Sequence, residues 1–144
     1  DHIEIAKAID ADGVHIGQKD RPYAWVRQQL GYKKIIGLSI ENIQQAEQCK
    51  TFDCDYFGVG PVFATSTKSD ASPSIGLANL KKITSILSKP VVAIGGINQT
   101  NINSVLAKEI SGIALAAGIF SATAPKKATK KLSQTLSQFH SYAK

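Results

Sequence analysis

The chain has no long apolar run: its hydrophobic stretches are short and broken by glycine or charge, which excludes a transmembrane helix. Asp1-His2-Ile3-Glu4 is not the start of a signal peptide, so the expectation is a cytoplasmic protein with no membrane partner. Cysteine is scarce. Cys49 and Cys54 are the only two, with no His or second Cys pair at ligand spacing, so a zinc site and a disulfide scaffold are excluded and both thiols read as reduced and structural. Aromatic residues do not interleave with the scattered lysines and anionic small molecules explain the net charge of +6 equally well, so nucleic acid stays a minor option and no nucleic-acid partner is expected. There is no Walker loop, no dinucleotide fingerprint, and no Ser/His/Asp or Cys/His arrangement for a protein nucleophile.

What is present suffices for one domain, since 144 residues of which 43% are hydrophobic can bury a real core. The chain alternates strand and helix patterns. Ile3 to Asp10 has helical spacing, ended by Ala11-Asp12-Gly13, and Val14 to Gly17 is a strand. Arg21-Pro22 opens a helix that stops at Gly31; Lys34 to Ser39 is a nearly continuous apolar strand, and Glu41 to Cys49 is helical. Further strands are expected at Cys54 to Gly60, Pro90 to Gly95 and Ile113 to Ala117, with helices at Leu77 to Leu87 and Thr100 to Ala107. A last helix, Pro125 to about Tyr142, carries Leu132, Leu136 and Phe139 at i, i+4 and i+7.

Strict βα alternation demands a parallel sheet covered by helices, so the class is α/β. Polar residues recur after strand after strand, at Gln18 to Asp20, Ser39, Thr65 to Lys68 and Gly95-Gly96. That recurrence favours a (β/α)₈ barrel, whose loops all converge on one catalytic face, over an open sheet in which only the switch-point loops meet. Five βα units are not eight, and a complete barrel typically needs ~250 residues, so residues 1–144 read as the C-terminal part of a single barrel domain.

The stretch from Gly58 to Asp70 turns an apolar strand into a polar loop. Gly60-Pro61 stops the strand, and Thr65, Ser66, Thr67 and Lys68 offer three hydroxyls, successive backbone N–H donors and one ammonium, a group that suits a diphosphate. By composition alone a solvated Ser/Thr/Lys loop is the better reading, and the setting of the loop is what favours phosphate.

These residues, in order and spacing over essentially the whole chain, resemble the thiamine-phosphate synthase family, the barrel enzymes that join a hydroxymethylpyrimidine diphosphate to a thiazole phosphate. The resemblance is carried by Ala11-Asp-Gly-Val-His-Ile-Gly-Gln-Lys-Asp20, Ile36-Gly-Leu-Ser39, Asp55-Tyr-Phe-Gly-Val-Gly-Pro-Val-Phe-Ala-Thr-Ser-Thr-Lys68 and Val91-Val-Ala-Ile-Gly-Gly-Ile97. It implies Mg²⁺ as cofactor, held by Asp1 and Asp20, and catalytic contacts from Ser39 and Lys68 to the pyrimidine diphosphate. It further implies that Thr65, Ser66, Thr67, Gly96, Ala116 and Ala117 hold the thiazole phosphate and that His15 lines the pyrimidine pocket. The partners implied are small-molecule substrates, with a homo-oligomer left open.

The departures are a missing Gln-x-Arg-x-Lys signature, a missing Asn before Asp1, and Ala117 where the family has a Ser. Two other functions stay open: the related thiazole tautomerase, whose His two residues after the Ser is Glu41 here, and a truncated, inactive phosphate-binding module. Other readings of single residues also stand. Asp20 ahead of Pro22 fits a helix N-cap, Gly95-Gly96 fits a tight turn with Asn98 or Thr100 capping the next helix, and His15 fits a satisfied core histidine. Lys126, Lys127, Lys130 and Lys131 read as the solvated face of the last helix.

Overall fold

Each β-branched run becomes a strand and each amphipathic stretch between strands becomes a helix. The structure, a computed structural model, describes residues 2–65, 67 and 72–142, with side chains as far as 139. The elements are α1 (Ile3–Ala8), β1 (Gly13–Ile16), α2 (Tyr23–Leu30), β2 (Ile35–Ile40), α3 (Ile43–Cys49) and β3 (Tyr56–Val59), followed by α4 (Gly76–Ile86), β4 (Val91–Ile94), α5 (Ile102–Leu106), β5 (Gly112–Ala114), α6 (Ala117–Phe120) and α7 (Pro125–Tyr142).

The strands form one sheet in the order β1-β2-β3-β4-β5, every pair parallel. A doubly wound sheet reverses its order at a switch point; this one does not. With right-handed crossovers, sequential parallel strands send every connecting helix to the same face. The burial pattern matches that geometry. Ile16, Ile36, Leu38, Ile40, Phe57, Val59, Val91 and Ala93 alternate onto one face and are at most 5% exposed, packing with Val26 of α2, Ala46 of α3, Leu80 and Ile83 of α4, Val105 of α5 and Leu132 of α7. Each large side chain buried there contributes roughly 1.5–3 kcal/mol.

The other face carries His15, Gly37, Ser39, Tyr56, Gly58, Val92 and Ile94, and it is open enough to leave Ile35 49% and Ile94 46% exposed.

Local chemistry sets the element ends. Asn42 caps α3 by accepting from Gln45 N (2.8 Å), while Gln45 Oε1 reaches back to Glu41 N (2.7 Å), a reciprocal arrangement akin to a capping box. Below the sheet, the buried Arg27 donates to the carbonyls of Gly31 (3.1 Å), Lys34 (2.7 Å) and Asp53 (3.0 Å) and to Asp55 Oδ2 (2.9 Å), tying the end of α2 to the starts of β2 and β3. The tail lysines are exposed on α7, while Leu132, Leu136 and Phe139 pack on the core. Among the described residues no helix is long and apolar enough to cross a membrane.

Three expectations need correction. The fifth strand ends at Ala114, and Ala117 instead opens α6, a four-residue helix too short for periodicity to reveal. Asp20 does not cap α2, whose N-cap position is Pro22 with no side-chain cap; its carboxylate turns back to Gly17 N (2.6 Å). Neither Asn98 nor Thr100 caps α5: Asn98 Oδ1 accepts from Thr100 N (2.8 Å), and the N-cap position is Asn101.

Candidate active site

All five strands end at the same rim, and the loops after them enclose a cavity of about 910 Å³. Its wall holds His15 and Ser39 from the open face and Asp20 from the β1–α2 loop. Thr65 and Thr67 come from the β3–α4 loop, Gly96 from the β4–α5 loop, and Ala116 and Ala117 from the start of α6. Residues from five separate βα units are thus brought to one place, as a shared rim requires. Asp1, Ser66 and Lys68 lie outside the described residues.

Two hydrogen bonds shape the first loop. Asp20 Oδ2 accepts from Gly17 N, and Gln18 Nε2 donates to Ser39 O (2.6 Å), pinning the β1 loop to the end of β2. On the open face His15 is shared: Nε2 lies 2.9 Å from Ser39 Oγ and Nδ1 lies 3.0 Å from Tyr56 Oη. His15 is therefore a partnered histidine and a cavity residue at once. In the third loop Thr65 Oγ1 accepts from Thr67 N (3.2 Å) and donates to Thr67 Oγ1 (3.1 Å), a local turn that places both hydroxyls at the wall.

Gly95 and Gly96 have φ of +98° and +63° and press against the β3–α4 segment. A Cβ on Gly95 would sit 2.5 Å from Pro61 Cα, and one on Gly96 would sit 2.7 Å from Ala64 O, so only glycine lets the two loops meet. Asn98 and Asn101 both donate to Gly96 O, at 3.3 and 3.0 Å, which fixes that peptide's orientation. The thiols take no part in the cavity. Both are buried and free, and burial pushes Cys54 up to about 11, so it stays protonated at neutral pH.

Tyr56 went unrecognised in the sequence. Its signal was alternation: position 56 shares a face with 58, and its register partner Gly37 sits beside His15, but a contact 41 residues apart shows only once strand pairing is known.

The family described as thiamine monophosphate synthase matches residues 1–119. The thiamine-phosphate synthase of Desulfitobacterium hafniense is 45% identical over 132 residues, 92% of this chain and 64% of that protein. That of Archaeoglobus fulgidus is 44% identical over 141 residues, 98% of this chain and 66% of that protein. A solved thiamine phosphate pyrophosphorylase from Pyrococcus furiosus superposes with a TM-score of 0.86 at 35% identity, covering 96% of this chain and 66% of that one. The chain thus spans just under two thirds of the length of these relatives. With a family match over residues 1–119 and a fold that superposes closely on a solved relative 35% identical to it, the chain belongs to the thiamine monophosphate synthase family.

Proposed function

We propose that this chain carries the phosphate-binding and diphosphate-activating part of a thiamine-phosphate synthase, joining a pyrimidinylmethyl diphosphate to a thiazole phosphate with release of diphosphate. The observation that carries the reading is the convergence of His15, Ser39, Asp20, Thr65, Thr67 and Gly96 on one cavity, in a chain of this family.

The chemistry asks for charge stabilisation and alignment rather than a protein nucleophile. The bond from the pyrimidine's methylene carbon to the diphosphate oxygen breaks, the electron pair leaves with the oxygen, and the thiazole nitrogen forms the new bond to that carbon. In this reading Ser39 and Lys68 stabilise the departing diphosphate, and His15 lines the pyrimidine's seat. Thr65, Ser66 and Thr67 with Gly96, Ala116 and Ala117 hold the thiazole phosphate in line. The first N–H groups of α6 have no partner within the helix, as any helix start requires, and Ala117 supplies such an N–H without the hydroxyl of a serine.

A divalent cation fits the donor set. Asp20 places a hard carboxylate at the cavity wall, and Mg²⁺ is commonly held by one or two carboxylates together with substrate phosphates. Among the described residues no three or more His, Cys, Asp or Glu converge, so Asp20 would hold the ion with Asp1 and phosphate oxygens. Bound there, Mg²⁺ would neutralise charge on the leaving diphosphate.

We read the sheet as an arc of a (β/α)₈ barrel, residues 1–144 forming the C-terminal part of one domain. The sequential parallel order, the open inner face and the roughly two-thirds coverage of relatives support this.

The test is a chimera in which the N-terminal third of the Archaeoglobus fulgidus protein precedes Asp1. With both phosphorylated substrates and Mg²⁺ it should release diphosphate and form thiamine phosphate. Conversion of thiazole tautomers without diphosphate release would move the assignment to an isomerase, and neither reaction would leave a binding module.

A further inference from the structure

Tyr56, His15 and Ser39 share two hydrogen bonds, 3.0 Å from Tyr56 Oη to His15 Nδ1 and 2.9 Å from His15 Nε2 to Ser39 Oγ. We infer that Tyr56 is a positioning residue: it holds His15 as the tautomer protonated on Nε2, so that Ser39 turns its hydroxyl hydrogen into the cavity as a donor for an anionic oxygen. The inference deepens the phosphate-binding reading above and rests on it for the identity of that oxygen.

A neutral imidazole has one donor and one acceptor, so protons along this chain can be ordered in only two ways. In the first, Tyr56 O–H donates to Nδ1, Nε2–H donates to Ser39 Oγ, and the Ser39 hydrogen is left over. In the second, Ser39 O–H donates to Nε2, Nδ1–H donates to Tyr56 Oη, and the Tyr56 hydrogen is left over. A doubly protonated ring would donate both ways and leave both hydroxyl hydrogens over.

Position decides between them. Ser39 lines the cavity, where ligand or water can accept its hydrogen; Tyr56 does not line it. The half-buried Tyr56 hydroxyl has His15 as its hydrogen-bond partner among the described residues, so the second order would leave a partly buried donor unmatched. Burial also raises the Tyr56 pKa, which keeps its proton in place to be donated. The first order satisfies every group and places the spare hydrogen where a ligand binds.

The sheet makes room for this pairing. A Cβ on Gly37 would strike the Tyr56 ring and sit 2.5 Å from His15 Nδ1, and one on Gly58 would sit 2.8 Å from His15 Cε1. Glycines on β2 and β3 thus seat the His15 and Tyr56 rings 5.4 Å apart on the open face.

The experiment is ¹⁵N NMR of the imidazole of His15, assigned against His2 and His140, together with titration of inorganic pyrophosphate into the parent chain and the Tyr56→Phe and Ser39→Ala variants. The parent should show a proton on Nε2 and an acceptor-type Nδ1. Tyr56→Phe should move the Nδ1 resonance and weaken pyrophosphate several-fold although residue 56 is outside the cavity wall, and Ser39→Ala should weaken it by about tenfold, the scale of one hydrogen bond to a charged oxygen. A parent ring protonated on Nδ1 overturns the inference and needs no variant. A folded Tyr56→Phe chain with unchanged ring resonances and parent-like pyrophosphate affinity overturns it too. No pyrophosphate binding by the parent would count against the phosphate reading of the cavity, while the ring resonances would still decide the role of Tyr56.

Discussion

Arg27 and Asp20 were legible in the sequence to different degrees, because one acts through tertiary contacts and the other through a local loop. Nothing in the sequence singled out Arg27, yet its guanidinium holds three carbonyls and a carboxylate from segments up to 28 residues away. Replacing it by Gln leaves those acceptors short of donors, so Arg27→Gln should destabilise the chain by about 2–4 kcal/mol in urea denaturation. Lys34→Gln, which removes the pair with a 91% exposed Asp10, should cost under about 0.5 kcal/mol. The Arg27 effect carries a pH signature. Burial pushes the Asp55 carboxyl up, but the Ile36 N–H and the Arg27 guanidinium outweigh it and hold it below 3.8. A depressed carboxylate stabilises the fold above its ordinary value and loses that contribution as pH falls through the depressed one. The gap between parent and variant should therefore be full at neutral pH and shrink below 3.8. A constant gap down the acid limb would show that Asp55 is not the partner that matters.

Asp20 was visible as a loop carboxylate, and its turn to Gly17 rather than to α2 separates two consequences that a helix cap would have mixed. In the chimera, Asp20→Ala should shift the Mg²⁺ dependence of diphosphate release to much higher concentration. Loss of its single hydrogen bond should cost only about 1 kcal/mol of stability. An unchanged Mg²⁺ titration with a lower melting temperature would reduce Asp20 to a loop brace.

At the scale of elements, the alternation of strands and helices could be read directly, because each segment carries its own period and its own glycine or proline boundary. The failure at β5 has a physical origin: Ile113-Ala-Leu-Ala-Ala117 is apolar throughout, so nothing in it marks where extended backbone gives way to the four residues of α6. Register was equally hidden, and with it the pairing of His15 with Tyr56. The Gly95-Gly96 turn was legible, and the structure adds why it tolerates no side chain. Gly95→Ala would combine a φ of +98° with a contact on the Pro61 backbone, and should destabilise by about 2–3 kcal/mol in chemical denaturation. Gly112, whose added Cβ would meet only Val92 Cγ2 at 3.9 Å, serves as the control: Gly112→Ala should stay within about 0.5 kcal/mol of the parent. Equal effects would mean that the close approach of the β3–α4 and β4–α5 loops does not govern this end of the sheet.

For the whole molecule, the sheet order places β1 and β5 at its edges, each with one neighbour and a row of backbone groups facing outward. Next to those edges the uncovered face presents Ile35 and Ile94, each about half exposed. Unpaired edges beside apolar side chains favour pairing with another chain. The opposing force is the net charge of +6, which repels like copies. At physiological ionic strength the Debye length is about 8 Å, so that repulsion is screened beyond the first contacts while the edge pairing is not. The 144-residue chain should therefore associate in sedimentation velocity as concentration rises, and more strongly as salt is added. The chimera should sediment as one discrete species under the same conditions, because supplied strands would pair with both edges and cover Ile35 and Ile94. A bare chain that stays monomeric at every concentration and salt would mean that its edges are already protected. The arc would then be a self-sufficient sheet, and the proposal that it is part of a closed barrel would fall.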